Sequence, residues 1–180
     1  MPILGIMASQ GAITRGSSFE SIQTINVTTA VTSVTFTSIP STYTHLQIRM
    51  TTKDNTGLAS QSIRINGDSG SNYGWHRLYG EGATANSGAG SSDNKIITGI
   101  SDVQFGSGIM DFLDYKNTNK NKTIRSLSGF DNNGTGWVGL WDGVWLNTAA
   151  ITDIQIMTGL LSQSWTQYST FALYGIKVAS

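Results

Sequence analysis

The feature that most constrains the fold of this chain is the stretch at residues 42–53, TYTHLQIRMTTK. In its middle, apolar side chains occupy every second position, at Leu46, Ile48 and Met50, and polar side chains occupy the positions between them. A period of two places the two sets on opposite faces of an extended chain. The stretch therefore predicts a half-buried β-strand whose apolar face needs a second sheet to cover it.

The rest of the chain repeats this pattern in short segments separated by turn residues. Ser and Thr occur 22 times each and Gly 21 times, whereas Glu, a good helix former, occurs twice. This composition favours strands over helices. We predict an all-β fold, an antiparallel two-sheet β-sandwich that is jelly-roll-like and has about ten strands. In this interpretation residues 19–180 form a single domain and residues 1–18 an extended N-terminal arm.

Three local patterns give more specific expectations. Residues 80–94 contain nothing apolar larger than alanine, which indicates a long solvent-exposed loop. Asn66-Gly67 and Asn133-Gly134 favour hairpin turns, because both residue types tolerate a positive φ angle. Residues 137–146 are apolar on both faces, which places them in the middle of a sheet.

The predicted arm has four large apolar residues among its first seven positions, at Ile3, Leu4, Ile6 and Met7. Such side chains are unfavourable in water, so we expect them to anchor the chain on a neighbouring subunit or on another protein. A loose chain terminus is the alternative. We do not expect a signal peptide, because no basic residue precedes the apolar run and Gly5 interrupts it.

Charge and cysteine content argue against several functions. Lys plus Arg number 11, as do Asp plus Glu, so the net charge is zero and neither nucleic acid nor an anionic membrane is an expected partner. No apolar run approaches the length of a membrane span. The chain has no cysteine, which excludes disulfides, thiolate catalysis and Cys-based zinc sites. We expect no cofactor and no metal.

The sequence predicts no catalytic residues. His45 and His76 are the only candidates for a neutral-pH base, and no serine stands in a GxSxG elbow. Carboxylates that could serve a glycosidase form two pairs, Asp111 with Asp114 and Asp131 with Asp142. Residues three apart on a strand face opposite sides, and acidic residues that flank a hairpin are ordinary turn formers. We therefore predict that the protein is not an enzyme.

Three other groups of residues leave alternatives open. Loop oxygens suited to calcium occur at Asp68, Asn72, Asp131, Asn132 and Asn133, without EF-hand spacing. Trp137, Trp141 and Trp145 share one side of a strand, which suits a sugar-binding strip but fits a core or a subunit interface better. A basic group, which we interpret as a solvated hairpin, comprises Lys116, Lys120, Lys122 and Arg125.

Four segments resemble a family of small β-sandwich virion structural proteins of tailed bacteriophages. They are residues 42–49 (TYTHLQIR), 65–76 (INGDSGSNYGWH), 126–133 (SLSGFDNN) and 171–176 (FALYGI). The similarity in order and spacing extends over residues 20–178, and the start MPILGI is similar as well. The resemblance implies a structural role without catalytic residues, as a capsid cement (decoration) protein or as the head of a tail-associated fibre.

On this basis we expect a capsid cement protein that binds the assembled shell and stabilises contacts between major capsid subunits. The expected partners are the major capsid protein and further copies of the chain itself, for example in a trimer. The expected location is the surface of the phage particle, after synthesis in the bacterial host cytoplasm. The alternative is a tail- or fibre-associated head that binds host surface glycan through Asn72, Trp75, Asp131 and Asn132.

Overall fold

The alternating stretch forms the strand His45–Thr52, as its sequence predicts. In the computed structural model, which describes residues 18–160 and 162–178, Leu46, Ile48 and Met50 are buried and Arg49 is exposed. The apolar side of this strand faces the second sheet. The strand is therefore half-buried for the reason that its alternation implies.

The described part of the chain folds into twelve strands. They are β1 (Phe19–Asn26), β2 (Ser33–Phe36), β3 (His45–Thr52), β4 (Ala59–Ile65), β5 (Tyr73–Glu81), β6 (Thr84–Asp93), β7 (Ile96–Ser101), β8 (Gly106–Leu113), β9 (Lys122–Asp131), β10 (Gly136–Trp145), β11 (Ile154–Thr158) and β12 (Thr170–Ile176). All strand pairs are antiparallel, in a larger sheet of order β1-β12-β3-β8-β9-β10-β5-β6 and a smaller sheet of order β2-β11-β4-β7. The predicted all-β, two-sheet sandwich is thereby confirmed. No helix in the described ranges is long and apolar enough to cross a membrane.

The main core lies between the two sheets. Fully buried side chains from the larger sheet include Leu46, Met110, Phe112, Ile124, Phe171 and Leu173, and those from the smaller sheet include Phe36, Ile63, Ile65, Ile154 and Ile156. Trp141 and Trp145 on β10 are also buried, so the core interpretation is confirmed for two of the three spaced tryptophans. Trp137 is half-buried at the other end of the strand.

Two backbone groups on the free edge of β7 are hydrogen-bonded by serine side chains rather than by another strand. The hydroxyl of Ser126 on β9 donates to the carbonyl oxygen of Thr98, and Ser128 Oγ accepts a hydrogen bond of 3.3 Å from the N–H of Ile100. Gly99 makes this approach possible, because a Cβ atom there would collide with the Ser128 side chain. Small residues therefore let an edge of the smaller sheet lie directly on the larger one.

The prediction of a long exposed loop at residues 80–94 is wrong. Thr84–Asp93 forms strand β6, which pairs with β5 in a hairpin. The strand needs no large side chains of its own. Trp75 and Arg77 of β5 lie across its glycines, since a Cβ atom at Gly88 would be 2.9 Å from Arg77 Nε. Side chains of a neighbouring strand therefore cover a segment whose composition is typical of a loop.

Both Asn-Gly pairs have the expected positive φ angles, 52° and 68° at Asn66 and Gly67 and 58° and 94° at Asn133 and Gly134. Asn133-Gly134 joins β9 to β10 in the predicted hairpin. Asn66-Gly67 instead connects the smaller sheet to the larger one, so the hairpin predicted there is wrong. Asn66 Oδ1 accepts a 2.8 Å hydrogen bond from the N–H of Thr152, which ties this turn to the connection between β10 and β11.

Lys122 is buried, although the sequence places it in a basic group that we interpreted as solvated. Its side chain is 1% exposed, and its Nζ donates to the carbonyl oxygens of Asn117, Lys120 and Thr148. Burial lowers the pKa of Lys122, and the charge on Lys120 lowers it further. The buried ammonium therefore joins the turn before β9 to the loop after β10.

Candidate interaction surface

The residues of the predicted glycan site lie at two ends of the larger sheet. Asn72 directly precedes β5 and Trp75 lies near its start, whereas Asp131 is the last residue of β9 and Asn132 follows it in the turn to β10. The ten residues of β10 run between these ends, which at about 3.3 Å per residue separates them by about 30 Å. The four residues therefore do not form one site. The predicted anchor residues Ile3, Leu4, Ile6 and Met7 lie outside the described ranges, and the anchor stays a prediction.

The loop side chains at both ends are used in local hydrogen bonds. Asn72 Nδ2 donates to Asp68 Oδ2 at 2.9 Å, and Asn132 Nδ2 donates to Asp102 Oδ2 at 3.3 Å. The loop oxygens considered for calcium are divided between the same two ends. Within residues 18–160 and 162–178, no group of three or more His, Asp or Glu side chains is placed to hold a metal ion.

The two histidines occupy different environments. His45 Nδ1 accepts a 2.9 Å hydrogen bond from the N–H of Asp114, just after the end of β8. The Asp114 carboxylate pairs with Lys120, whose hydrogen bond lowers the pKa of that carboxyl group. His76 is exposed and lies opposite Asp142 on β10. His45 therefore fixes the end of a strand, and His76 belongs to the outer surface of the larger sheet.

The carboxylates considered as acid pairs each have a separate partner. Asp111 Oδ1 accepts a 2.8 Å hydrogen bond from Gln47, and Asp142 pairs with Arg125 at 3.2 Å. Asp131 lies opposite Gly136, six residues along β10 from Asp142 and therefore about 20 Å away. This separation exceeds the distance between the two carboxyl groups of a glycosidase.

An apolar row crosses the outer face of the larger sheet, the face turned away from the smaller sheet. It consists of Leu78, Leu140, Leu127 and Ile109, which lie in register on β5, β10, β9 and β8. The three leucines are 58%, 51% and 46% exposed, respectively. With neighbouring strands about 4.8 Å apart, the row extends about 14 Å across the sheet.

A groove beside the apolar row enlarges this surface. Gly129 on β9 lies between Ser107 and Val138 on the neighbouring strands, and all three residues line a groove of about 770 Å³. Val138 and Phe105, 60% and 46% exposed, line the groove. A contiguous exposed apolar surface of this kind marks an interaction site more often than a solvated face.

A row of polar side chains borders the apolar row on its other side. It contains the Arg125–Asp142 ion pair and Gln47, which donates to Asp111 and accepts a 2.9 Å hydrogen bond from Arg49 Nε. Exposed pairs of this type contribute about 0–1 kcal/mol to folding, so their partners can be exchanged readily. An apolar centre with a polar border is the usual arrangement of a protein–protein interface.

The sequence carried a signal for this surface. Residues 137–146 are apolar on both faces, and β10 does lie inside the sheet, between β9 and β5. However, its outward residues Val138 and Leu140 are exposed rather than covered by a further layer. The double-sided apolar pattern therefore indicated a second buried face that the described residues do not provide.

Searches against models of protein families, against curated proteins and against solved structures found no match for this chain. The geometry of the outer face, together with the sequence resemblance, is therefore the basis for a functional proposal.

Proposed function

We propose that this chain is a bacteriophage virion structural protein, a capsid cement protein that self-associates, binds the assembled shell and stabilises contacts between major capsid subunits. The observation that carries the proposal is the apolar row with its adjoining groove. Three leucines and a valine lie side by side on one sheet face and are about half exposed, and burial against a partner in an assembly would remove this apolar surface from water. The resemblance of four sequence segments to phage virion proteins is the reason for proposing a phage particle as that assembly.

The mechanism is the burial of surface. The apolar row lies on four hydrogen-bonded strands, so little backbone freedom is lost when a partner covers it. An interface of standard size buries about 1,600 Å² in total, and the row, the groove and the polar border supply its centre and rim. Repeated over a symmetric shell, such contacts add up without any chemical reaction.

We assign the outer face to contacts between copies of the chain and the arm to contacts with the shell. A closed ring such as a trimer places this face of one copy against a different surface of the next. The arm residues Ile3, Leu4, Ile6 and Met7 then reach the junctions between shell subunits. Deletion of residues 1–18 should leave a folded domain that no longer decorates capsids.

The experiment that tests the proposal is the copy number of this chain in purified virions, measured by quantitative mass spectrometry against the major shell protein. A number comparable to that of the shell subunit supports the cement role. A much lower number would place the protein on the tail, which is the alternative function. Absence from the particle would overturn both.

A further inference from the structure

The inner face of the larger sheet extends beyond the smaller sheet. The smaller sheet ends at β7, which packs mainly against β9 and β10, so β5 and β6 reach past it. On this overhang, Arg77 lies between two rings, with its Cζ 5.6 Å from the centroid of Trp75 and 4.9 Å from that of Tyr79. Tyr79 stacks on Trp137 with centroids 4.5 Å apart and planes 7° apart. We call these four half-buried residues the aromatic–arginine strip.

The strip holds hydrogen-bond donors that no described residue uses. The side chains of Arg77, Tyr79 and Trp137 make no hydrogen bond or ion pair within residues 18–160 and 162–178, and Arg77 Nε is buried without an acceptor. Asn86 lies opposite Tyr79 on β6, and its amide is equally unused within those ranges. By contrast, Trp75 Nε1 donates to Asp93 Oδ2 at 2.6 Å. Around Arg77 the strip is therefore rich in donors, and the carboxylate of Glu81, on the same face of β5, lies four residues away, at about 13 Å along the strand.

This composition defines the chemistry of a ligand. The cation of Arg77 calls for a negative group, and a planar guanidinium matches a carboxylate with two parallel hydrogen bonds. The hydroxyl of Tyr79 and the amide of Asn86 suit ligand hydroxyl groups, and the edges of the stacked rings suit the C–H groups of a ligand. A pyranose ring that carries a carboxylate provides all three.

The small number of cations on the surrounding strands favours an acidic saccharide over a nucleic acid as the ligand. Arg77 is the only Lys or Arg on β5, β6 and β10. A single-stranded nucleic acid brings one phosphate per nucleotide and binds in a groove with several cations. One cation between aromatic rings instead matches one isolated negative charge.

We propose that the aromatic–arginine strip binds an acidic saccharide, with the carboxylate of a uronic acid on Arg77 and the sugar ring along the edges of Tyr79 and Trp137. The site is preorganised, because Gly88 and Gly90 allow Arg77 and Trp75 to lie flat on β6. This inference goes beyond the proposed structural role, and it holds for a subunit on the shell or on the tail.

The test is a titration of the full chain, followed by NMR through the indole N–H resonance of Trp137. The probes are tetragalacturonate, its methyl ester, a hyaluronan tetrasaccharide and a ten-residue oligo-dT. We expect at least one acidic oligosaccharide to shift the Trp137 resonance, and Arg77→Gln or methyl esterification to weaken binding about tenfold or more. Arg125→Gln on the outer face is the matched control, and it should bind like the wild type.

Four results would overturn the proposal: no binding of either acidic oligosaccharide, equal binding of the methyl ester, unchanged binding by Arg77→Gln, or binding of oligo-dT alone. Thermal unfolding shows whether Arg77→Gln is folded. If it is not, Trp137→Phe, which keeps a ring but removes the Nε1 donor, is titrated through the indole N–H resonance of Trp75 instead, and it should bind the acidic probe several-fold more weakly. Saccharide binding and particle copy number are separate readouts, so either proposal can fail alone.

Discussion

The indole Nε1 of Trp145 donates a 2.8 Å hydrogen bond to Asp68 Oδ2, a residue 77 positions earlier in the chain. The same carboxylate accepts hydrogen bonds from the Asn72 amide at 2.9 Å and from the Gly70 N–H at 2.8 Å. Trp145 is almost fully buried, and Asp68 is half-buried in the connection between β4 and β5. One carboxylate therefore holds the crossover between the two sheets against the end of β10.

Replacement of Asp68 should destabilise the domain. Asp68→Ala leaves the buried Trp145 Nε1 without an acceptor, and we expect a loss of about 1–3 kcal/mol in the free energy of unfolding. Asp68→Asn keeps an acceptor oxygen and should lose clearly less. Urea unfolding at neutral pH measures both variants, and equal losses would contradict the role given to the Trp145 hydrogen bond.

The same group should make stability depend on pH. The hydrogen bonds from Trp145, Asn72 and Gly70 lower the pKa of Asp68 in the folded state below its ordinary value of 3.8. The unfolded chain therefore binds the proton more tightly, so this contribution is present above pH 3.8 and is lost as the pH falls through the folded-state pKa. Asp68→Asn should lose less stability than the wild type as the pH is lowered below 3.8. Parallel unfolding curves over this range would show that other groups dominate.

Lys122→Met should destabilise the domain although it removes an unfavourably buried charge. The substitution leaves the carbonyl oxygens of Asn117, Lys120 and Thr148 without their shared donor, and each unsatisfied buried group costs about 1–3 kcal/mol. Lys116→Met removes an exposed cation from the same turn and should change stability by less than about 0.5 kcal/mol. Chemical unfolding of both variants makes the comparison, and similar small effects would contradict the buried role.

Gly143→Ala should strain the contact between the sheets. A Cβ atom at Gly143 would lie 3.1 Å from Ile96 Cδ1 and closer still to its Cγ2. Overpacking of this kind costs about 1–3 kcal/mol. At Gly80 the nearest atom to an added Cβ is the carbonyl oxygen of Thr84, 4.0 Å away, so Gly80→Ala is the control and should be nearly neutral. Thermal unfolding compares the two, and an equal change would exclude a close approach at β7.

Substitution in the apolar row should weaken self-association without unfolding the chain. Leu127→Ser combined with Leu140→Ser removes the centre of the row, and we expect the oligomer to dissociate at least tenfold more readily. Leu160→Ser, at a 63% exposed position in the loop after β11, is the control. Sedimentation velocity over a concentration series measures the effect, and a monomeric wild type at every concentration would contradict the assignment of this face.

The sequence correctly predicted the elements that are stabilised by their own residues. Strand β3 is half-buried because Leu46, Ile48 and Met50 alternate with polar residues, and the Asn133-Gly134 turn adopts positive φ angles because of its own two residues. Strand β6 was missed because its stability comes from Trp75 and Arg77 of β5. Its Gly- and Ser-rich composition carries no sign of those neighbours.

The candidate surfaces were predictable in part. Trp75, Arg77 and Tyr79 share one side of β5 because they occupy alternate positions of the strand, which the sequence itself shows. The stacking of Tyr79 on Trp137 follows from the register between β5 and β10, which no local pattern determines. Similarly, the burial of Lys122 depends on carbonyl groups from two separate loops.

Strand order also governs when the domain can fold. Among residues 18–160 and 162–178, the last strand is β12, which lies between β1 and β3, and β12 is the one strand that pairs with β1. The first strand therefore has no partner until residues 170–176 have been synthesised. Pairing across such a span closes a loop that contains most of the domain, which is slow. The larger sheet consequently assembles after synthesis of its last strand, and until then β1 and one edge of β3 stay open to pairing with other nascent chains.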